Sequence, residues 1–112
     1  MPRNSIEVYE SDPNIFADRG LPDADTHFLK AQIVSELHRL AHEQELTQTA
    51  TGALLGISQP EVSRMFKGRF REYSVERLIS FLTAFNKDVE IIVKDRSGAA
   101  SRGSVTLKHE AA

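Results

Sequence analysis

The run from Thr47 to Gly68, TQTATGALLGISQPEVSRMFKG, constrains this chain more than any other. Leu46, Ala50, Leu54 and Leu55 recur at helical spacing, so its first half predicts a short helix that buries one face. Thr47 stands where a side-chain oxygen caps the first free amides. Gly56 ends that helix, because glycine reaches positive φ without a Cβ penalty and starts a sharp turn. Ile57 then plugs the angle between this helix and the next. Ser58-Gln59-Pro60-Glu61 fits a capping box that opens a second helix. Pro60 falls in its first turn, where a missing amide hydrogen costs little. Val62 and Phe66 repeat at i and i+4 and face inward with Met65 beside them, leaving Gln59, Ser63, Arg64 and Lys67 on the outer face. Gly68 closes the second helix. Gly52 sits mid-helix at a cost of roughly 1 kcal/mol against alanine, and close approach of a neighbouring segment is the compensation expected.

Two short helices, a tight turn and a basic exit make a helix-turn-helix, a device that places its second helix in the DNA major groove. The net charge of −2 does not advertise a nucleic-acid binder, but its distribution does. Residues 59–71 carry Arg64, Lys67, Arg69 and Arg71 against Glu61 alone. Placed at the end of such a motif, these cations suit phosphate oxygens; a solvated helix end is the plainer reading. Residues 1–26 carry Arg3 and Arg19 against Glu7, Glu10, Asp12, Asp18, Asp23 and Asp25. That acidic arm suits a basic partner or is an ordinary solvated terminus.

The segment resembles the helix-turn-helix of the Cro/phage-repressor (XRE) family. The small residue, the turn glycine and the buried valine of that family match Gly52, Gly56 and Val62, with Ile57 and Ser58 between them. By this resemblance Gln48, opening the first helix, braces against a phosphate, and Gln59, opening the recognition helix, reads a base edge. Pro60 departs from the usual pattern and removes one amide and one flexible side chain near the DNA. The resemblance extends to the lead-in Asn14-Ile15-Phe16-Ala17-Asp18 and Gly20-Leu21-Pro22-Asp23-Ala24. It continues in the closing runs Leu78-Ile79-Ser80-Phe81-Leu82 and Asp88-Val89-Glu90-Ile91-Ile92-Val93. These are similar to a subgroup of HigA-type antitoxins and close regulatory relatives, over about residues 14 to 94. The resemblance implies an autorepressor that also neutralises a small RelE/HigB-like ribonuclease toxin.

With the family's pattern as a frame, Gln59, Ser63 and Arg64 are the base-reading candidates. A bidentate glutamine–adenine or arginine–guanine pair carries about 1–3 kcal/mol of discrimination. Gln48, Lys67, Arg69 and Arg71 are the phosphate candidates. Glu61 is suited to accept from a cytosine amino group, and its capping role explains it equally well. Phe70 and Tyr73, among Arg69 and Arg71, either stack on unpaired bases or anchor the loop to the core, and the second is preferred.

Around the motif the chain reads as one domain of 112 residues. Asp23 or Asp25 caps a long helix to about Gln44, with Leu29, Ile33, Leu37 and Leu40 on its apolar stripe and Val34 and Ala41 broadening it. Ser74 caps a further helix to about Asn86 that buries Val75, Leu78, Leu82 and Phe85; Phe81 and Ile79 lie off the stripe and are candidates to meet a partner. Val89, Ile91 and Val93 alternate with Glu90, Ile92 and Lys94, which predicts a strand. Its candidate partners are Ile6–Tyr9, Val105–Leu107 or the same strand of a second subunit, and Ile92 on the polar face favours a second chain. From Asp95 onward Ser, Gly and Ala mark a flexible tail.

Other chemistry is poorly represented. Cysteine is absent, so there is no disulfide framework or zinc–thiolate site. His38 and His42 stand i, i+4 on the long helix, where two solvated histidines are the favoured reading over a metal site. No nucleophile elbow or phosphate-cradling glycine loop is present. No apolar run approaches a membrane span, and the first residues lack a signal-peptide pattern.

The expectation is therefore an all-α, five-helix-type XRE helix-turn-helix domain of the lambda-repressor kind with a short C-terminal β-strand. A partly ordered N-terminal arm covers 1–22, the domain 23–94 and the tail 95–112. A cytoplasmic homodimer is expected on a palindromic double-stranded operator, autorepressing its operon and neutralising a small basic toxin, with no cofactor, metal or catalytic residue. The alternatives are a stand-alone or phage-derived regulator without a toxin, and a protein-interaction module that does not bind DNA.

Overall fold

The computed structural model describes residues 23–96, 98 and 102–110. The expected N-terminal arm, 1–22, with its candidate strand Ile6–Tyr9, lies outside the described residues. Four helices follow in order: α1 Asp23–Glu43, α2 Gln48–Leu55, α3 Gln59–Phe66 and α4 Val75–Ala84. The all-α class is as expected. Among the described residues, however, there are four helices rather than five, and no strand.

The long helix α1 is the spine. Leu29, Ile33, Val34, Leu37, Leu40 and Ala41 are all buried, as their period requires. It packs mainly on α4, α2 packs mainly on α3, and lesser α1–α3 and α2–α4 contacts join the two pairs. Val62, Met65, Val75 and Leu78 fill the middle and are completely excluded from solvent. The chain leaves α1 through Glu45 at φ 58, with the Leu46 amide donating to the Ala41 carbonyl at 2.9 Å. It leaves α4 through Asn86 at φ 64, a left-handed position that asparagine tolerates better than most residues.

Two expectations need correction. Phe81 does not project towards a partner: it is 3% exposed and meets Tyr73 edge-on at 5.7 Å between ring centroids. Ile79 is half-buried against the core. The apolar side of α4 is therefore broader than one stripe, because α1 covers it while the Phe70–Tyr73 loop flanks it. The second correction concerns Val89–Lys94. Only Val89 reaches the core, while Ile91, Ile92 and Val93 are 65%, 74% and 92% exposed. Alternation encodes an extended backbone, but a strand also needs a hydrogen-bonded neighbour, and no described segment pairs with it.

Candidate nucleic-acid interface

Local chemistry fixes the α2–turn–α3 unit before packing acts on it. Thr47 caps α2, its hydroxyl accepting from the Ala50 amide at 3.0 Å. Gly56 then adopts φ +79, and the amides of Gly56 and Ile57 both donate to the Gly52 carbonyl, at 2.7 and 2.9 Å. Ser58 opens α3 with a complete capping box. The Glu61 amide donates to Ser58 Oγ at 3.2 Å and the Ser58 amide to Glu61 Oε1 at 2.9 Å. The backbone bond from Ser58, then its side chain, holds the Glu61 carboxyl below the usual carboxylate range. Glu61 thus serves as a cap, which commits one of its oxygens.

Gly52 lets the turn backbone close onto α2. A Cβ placed there would lie 2.5 Å from the Ile57 carbonyl oxygen and 3.3 Å from the Ser58 carbonyl carbon. The turn backbone passes directly over the helix, so the position excludes every side chain. Val62 is completely buried below, and Ile57 is half-buried at the corner.

This corner brings Gln48 and Gln59 together. Each is the first residue of its helix, and Gln59 Nε2 donates to Gln48 Oε1 at 2.8 Å. Eleven residues apart in sequence, the two amides form one polar surface. The bond uses one donor of Gln59 and one acceptor of Gln48, leaving each amide with hydrogen-bonding capacity. Arg64 is exposed on α3 and Ser63 is half-exposed beside it. Lys67 forms the α3 C-cap, and exposed Arg69 and Arg71 follow Gly68, whose φ is +99. Lys30 of α1 donates to the Arg71 carbonyl at 2.9 Å and ties the exit loop down.

Phe70 and Tyr73 are each 6% exposed and anchor that loop in the core. His27 stacks on Phe70 at 5.1 Å. Burial pushes the Tyr73 phenol above its ordinary range, keeping it neutral. His38 meets Phe66 edge-on at 4.8 Å, which gives it a packing role.

A helix-turn-helix domain family matches residues 15–94. A solved structure described as a candidate XRE family transcriptional regulator aligns with a TM-score of 0.68 and 34% identity, covering 81% of this chain and all of that one. The chain belongs to the XRE helix-turn-helix family. No curated protein matches it.

Within this XRE domain, the motif residues have supports that the local sequence does not signal. Arg77 lies over the Tyr73 and Phe81 rings at 5.7 and 5.4 Å, holding the loop beside α4. Its place in the first turn after the Ser74 cap gave no hint of this. Gln32 and Glu36, on the half-buried flank of α1, hold residues from the far end of the chain. Periodicity says only that such residues lie off the apolar stripe. No helix among the described residues is long and apolar enough to cross a membrane.

Proposed function

We propose that this DNA-binding transcription regulator is a sequence-specific repressor that acts as a homodimer. The observation that carries the reading is the Gln48–Gln59 pair at the start of both motif helices. In this arrangement Gln48 meets a phosphate and steadies Gln59, which presents its amide to a base edge. Ser63 and Arg64 extend base contact along α3, while Lys67, Arg69 and Arg71 neutralise phosphates on leaving it. The exposed Ile91–Val93 segment supports a two-fold dimer, its extended backbone pairing with a second copy. Paired recognition helices then address half-sites about one DNA turn, roughly 34 Å, apart.

The antitoxin role rests on the resemblance of residues 14–94 to HigA-type proteins. In that role the dimer represses its own operon and captures a small basic ribonuclease. Selection from random duplexes tests the DNA reading: a palindrome with half-sites one turn apart is expected, and salt-sensitive binding without sequence preference refutes it. Co-expression with the neighbouring reading frame tests the antitoxin role. A stoichiometric basic partner, toxic alone and silent in the pair, is expected; an absent or harmless partner leaves a stand-alone regulator.

A further inference from the structure

The outer face of α3 carries one residue that the base and phosphate contacts proposed above leave unused. Val62 and Met65 are buried and Phe66 is half-buried, so these three fix the inward direction of the helix. Successive residues turn by about 100°, which puts Pro60 almost opposite Val62. Ser63 follows Pro60 at i+3, Arg64 at i+4 and Lys67 at i+7, so Pro60 heads the row that the proposed reading turns towards DNA. Pro60, Arg64 and Lys67 are all exposed.

Its two neighbours are already held. Gln59 is tethered by its 2.8 Å bond to Gln48. Glu61 accepts the Ser58 amide at 2.9 Å and completes the capping box. The pyrrolidine ring stands between them with its φ fixed by ring closure. It has no amide hydrogen and no polar side-chain atom, so the only surface it offers is a rigid edge of methylene groups. Helix initiation accounts for a proline in this turn, but not for what its exposed apolar ring meets when the face is covered.

The apolar group on a base edge in the major groove is the 5-methyl of thymine. We propose that Pro60 is a specificity residue that packs on a thymine methyl, at a base pair neighbouring the one read by Gln59. The inference rests on the DNA reading given above and adds a contact to it. A ring without donors or acceptors forms no hydrogen bond to a guanine, adenine or cytosine edge, and covering their polar atoms has a cost. Against thymine it covers a methyl group that water otherwise surrounds. The Gln48 tether sets where Gln59 lies and the cap sets where α3 starts, so together they fix the spacing between the two readers.

Thymine and deoxyuridine differ only in that methyl, which gives a direct test. The full-length protein first selects a duplex from a random library, and each thymine of the recovered site is then replaced in turn by deoxyuridine. One replacement, next to the position where Gln59→Ala relaxes preference, should weaken wild-type binding about fourfold, the worth of one buried methyl. Pro60→Ser keeps Ser58 and Glu61 and removes the ring, so it should bind the thymine and deoxyuridine duplexes equally. A recovered site without thymine there, or wild-type binding indifferent to every replacement, overturns the proposal, while Gln59→Ala still reports separately on base reading. A fourfold loss that persists in Pro60→Ser gives the methyl to another residue and overturns it too. Failure to select any sequence overturns the base-reading scheme with Pro60 included. Should Pro60→Ser lose its circular-dichroism melt, Pro60→Glu takes its place, because glutamate suits a first helical turn. Its charge lowers affinity for both duplexes alike, and their ratio still reports the methyl.

Discussion

Gly52→Ala tests the geometry of the motif most directly. Alanine is the better helix former by about 1 kcal/mol, so propensity alone raises stability. Tertiary structure reverses that sign. The new Cβ would sit 2.5 Å from the Ile57 carbonyl oxygen, with Ser58 and Gln59 backbone atoms at 3.3 and 3.5 Å. That first approach is about 1 Å inside a comfortable separation. All three neighbours are backbone, so no rotamer change relieves the overlap and the turn itself must lift. Overpacking of this kind costs about 3 kcal/mol, the upper part of its range. Subtracting the propensity gain leaves a net loss of about 2 kcal/mol, or a fall of roughly 10 °C in Tm for a domain of this size. Lifting Ile57 also separates Gln59 from Gln48, so under the base-reading role proposed for Gln59 operator affinity should fall by the worth of a base contact, about 1–3 kcal/mol. Thermal unfolding followed by circular dichroism and titration with a selected operator measure both effects. Gly56→Ala is the control: nothing lies within 4 Å of its Cβ, so the cost is that of φ +79 alone, about 1–2 kcal/mol. A Gly52→Ala protein as stable as the wild type would refute the close-approach argument.

Four further outcomes are expected. Gln59→Ala relaxes base preference at one operator position by about 1–3 kcal/mol, whereas Lys67→Ala weakens all sequences alike and lowers the salt slope by about one; parallel losses in a binding-site selection would overturn this division of roles. Ser58→Ala removes the α3 cap and costs about 1 kcal/mol in urea unfolding, and an unchanged midpoint would contradict it. The lowered Glu61 pKa contributes stability that is present above the unfolded-state value and is lost as pH falls through the folded value. Glu61→Gln should therefore flatten that acidic limb of the unfolding curve, and an unaltered limb assigns the effect elsewhere. Ile92→Lys, at a site 74% exposed, should leave the Tm of the isolated chain intact while weakening the proposed dimer in sedimentation; self-association of undiminished strength would refute an interface at this segment.

Much of the fold was legible because its signals are local. Thr47, Ser58 and Ser74 cap the amides three residues ahead, as the bonds to Ala50, Glu61 and Arg77 show. Gly56 was readable as a left-handed residue, and the α1 stripe from Leu29 to Ala41 was readable from its period. The helix-turn-helix and its basic exit follow from neighbours within a few positions. The roles proposed for Gln48 and Gln59 come from the resemblance, because periodicity cannot provide them.

What required tertiary structure depends on contacts between distant residues. Only the crossing of α2 and the turn explains the cost accepted at Gly52, and only the fold brings Gln48 to Gln59. A single helical stripe leaves Phe81 facing outward, but in the fold Tyr73 and Arg77 pack against it. The alternation at Val89–Lys94 is a property of the sequence. Pairing is a property of whatever chain lies beside it, and within one copy no described segment does. Gln32 and Leu107, 75 residues apart, meet for the same reason. Short-range periodicity and capping chemistry determine which segments are helices, whereas burial and hydrogen-bond matching across the assembled core decide which surfaces touch.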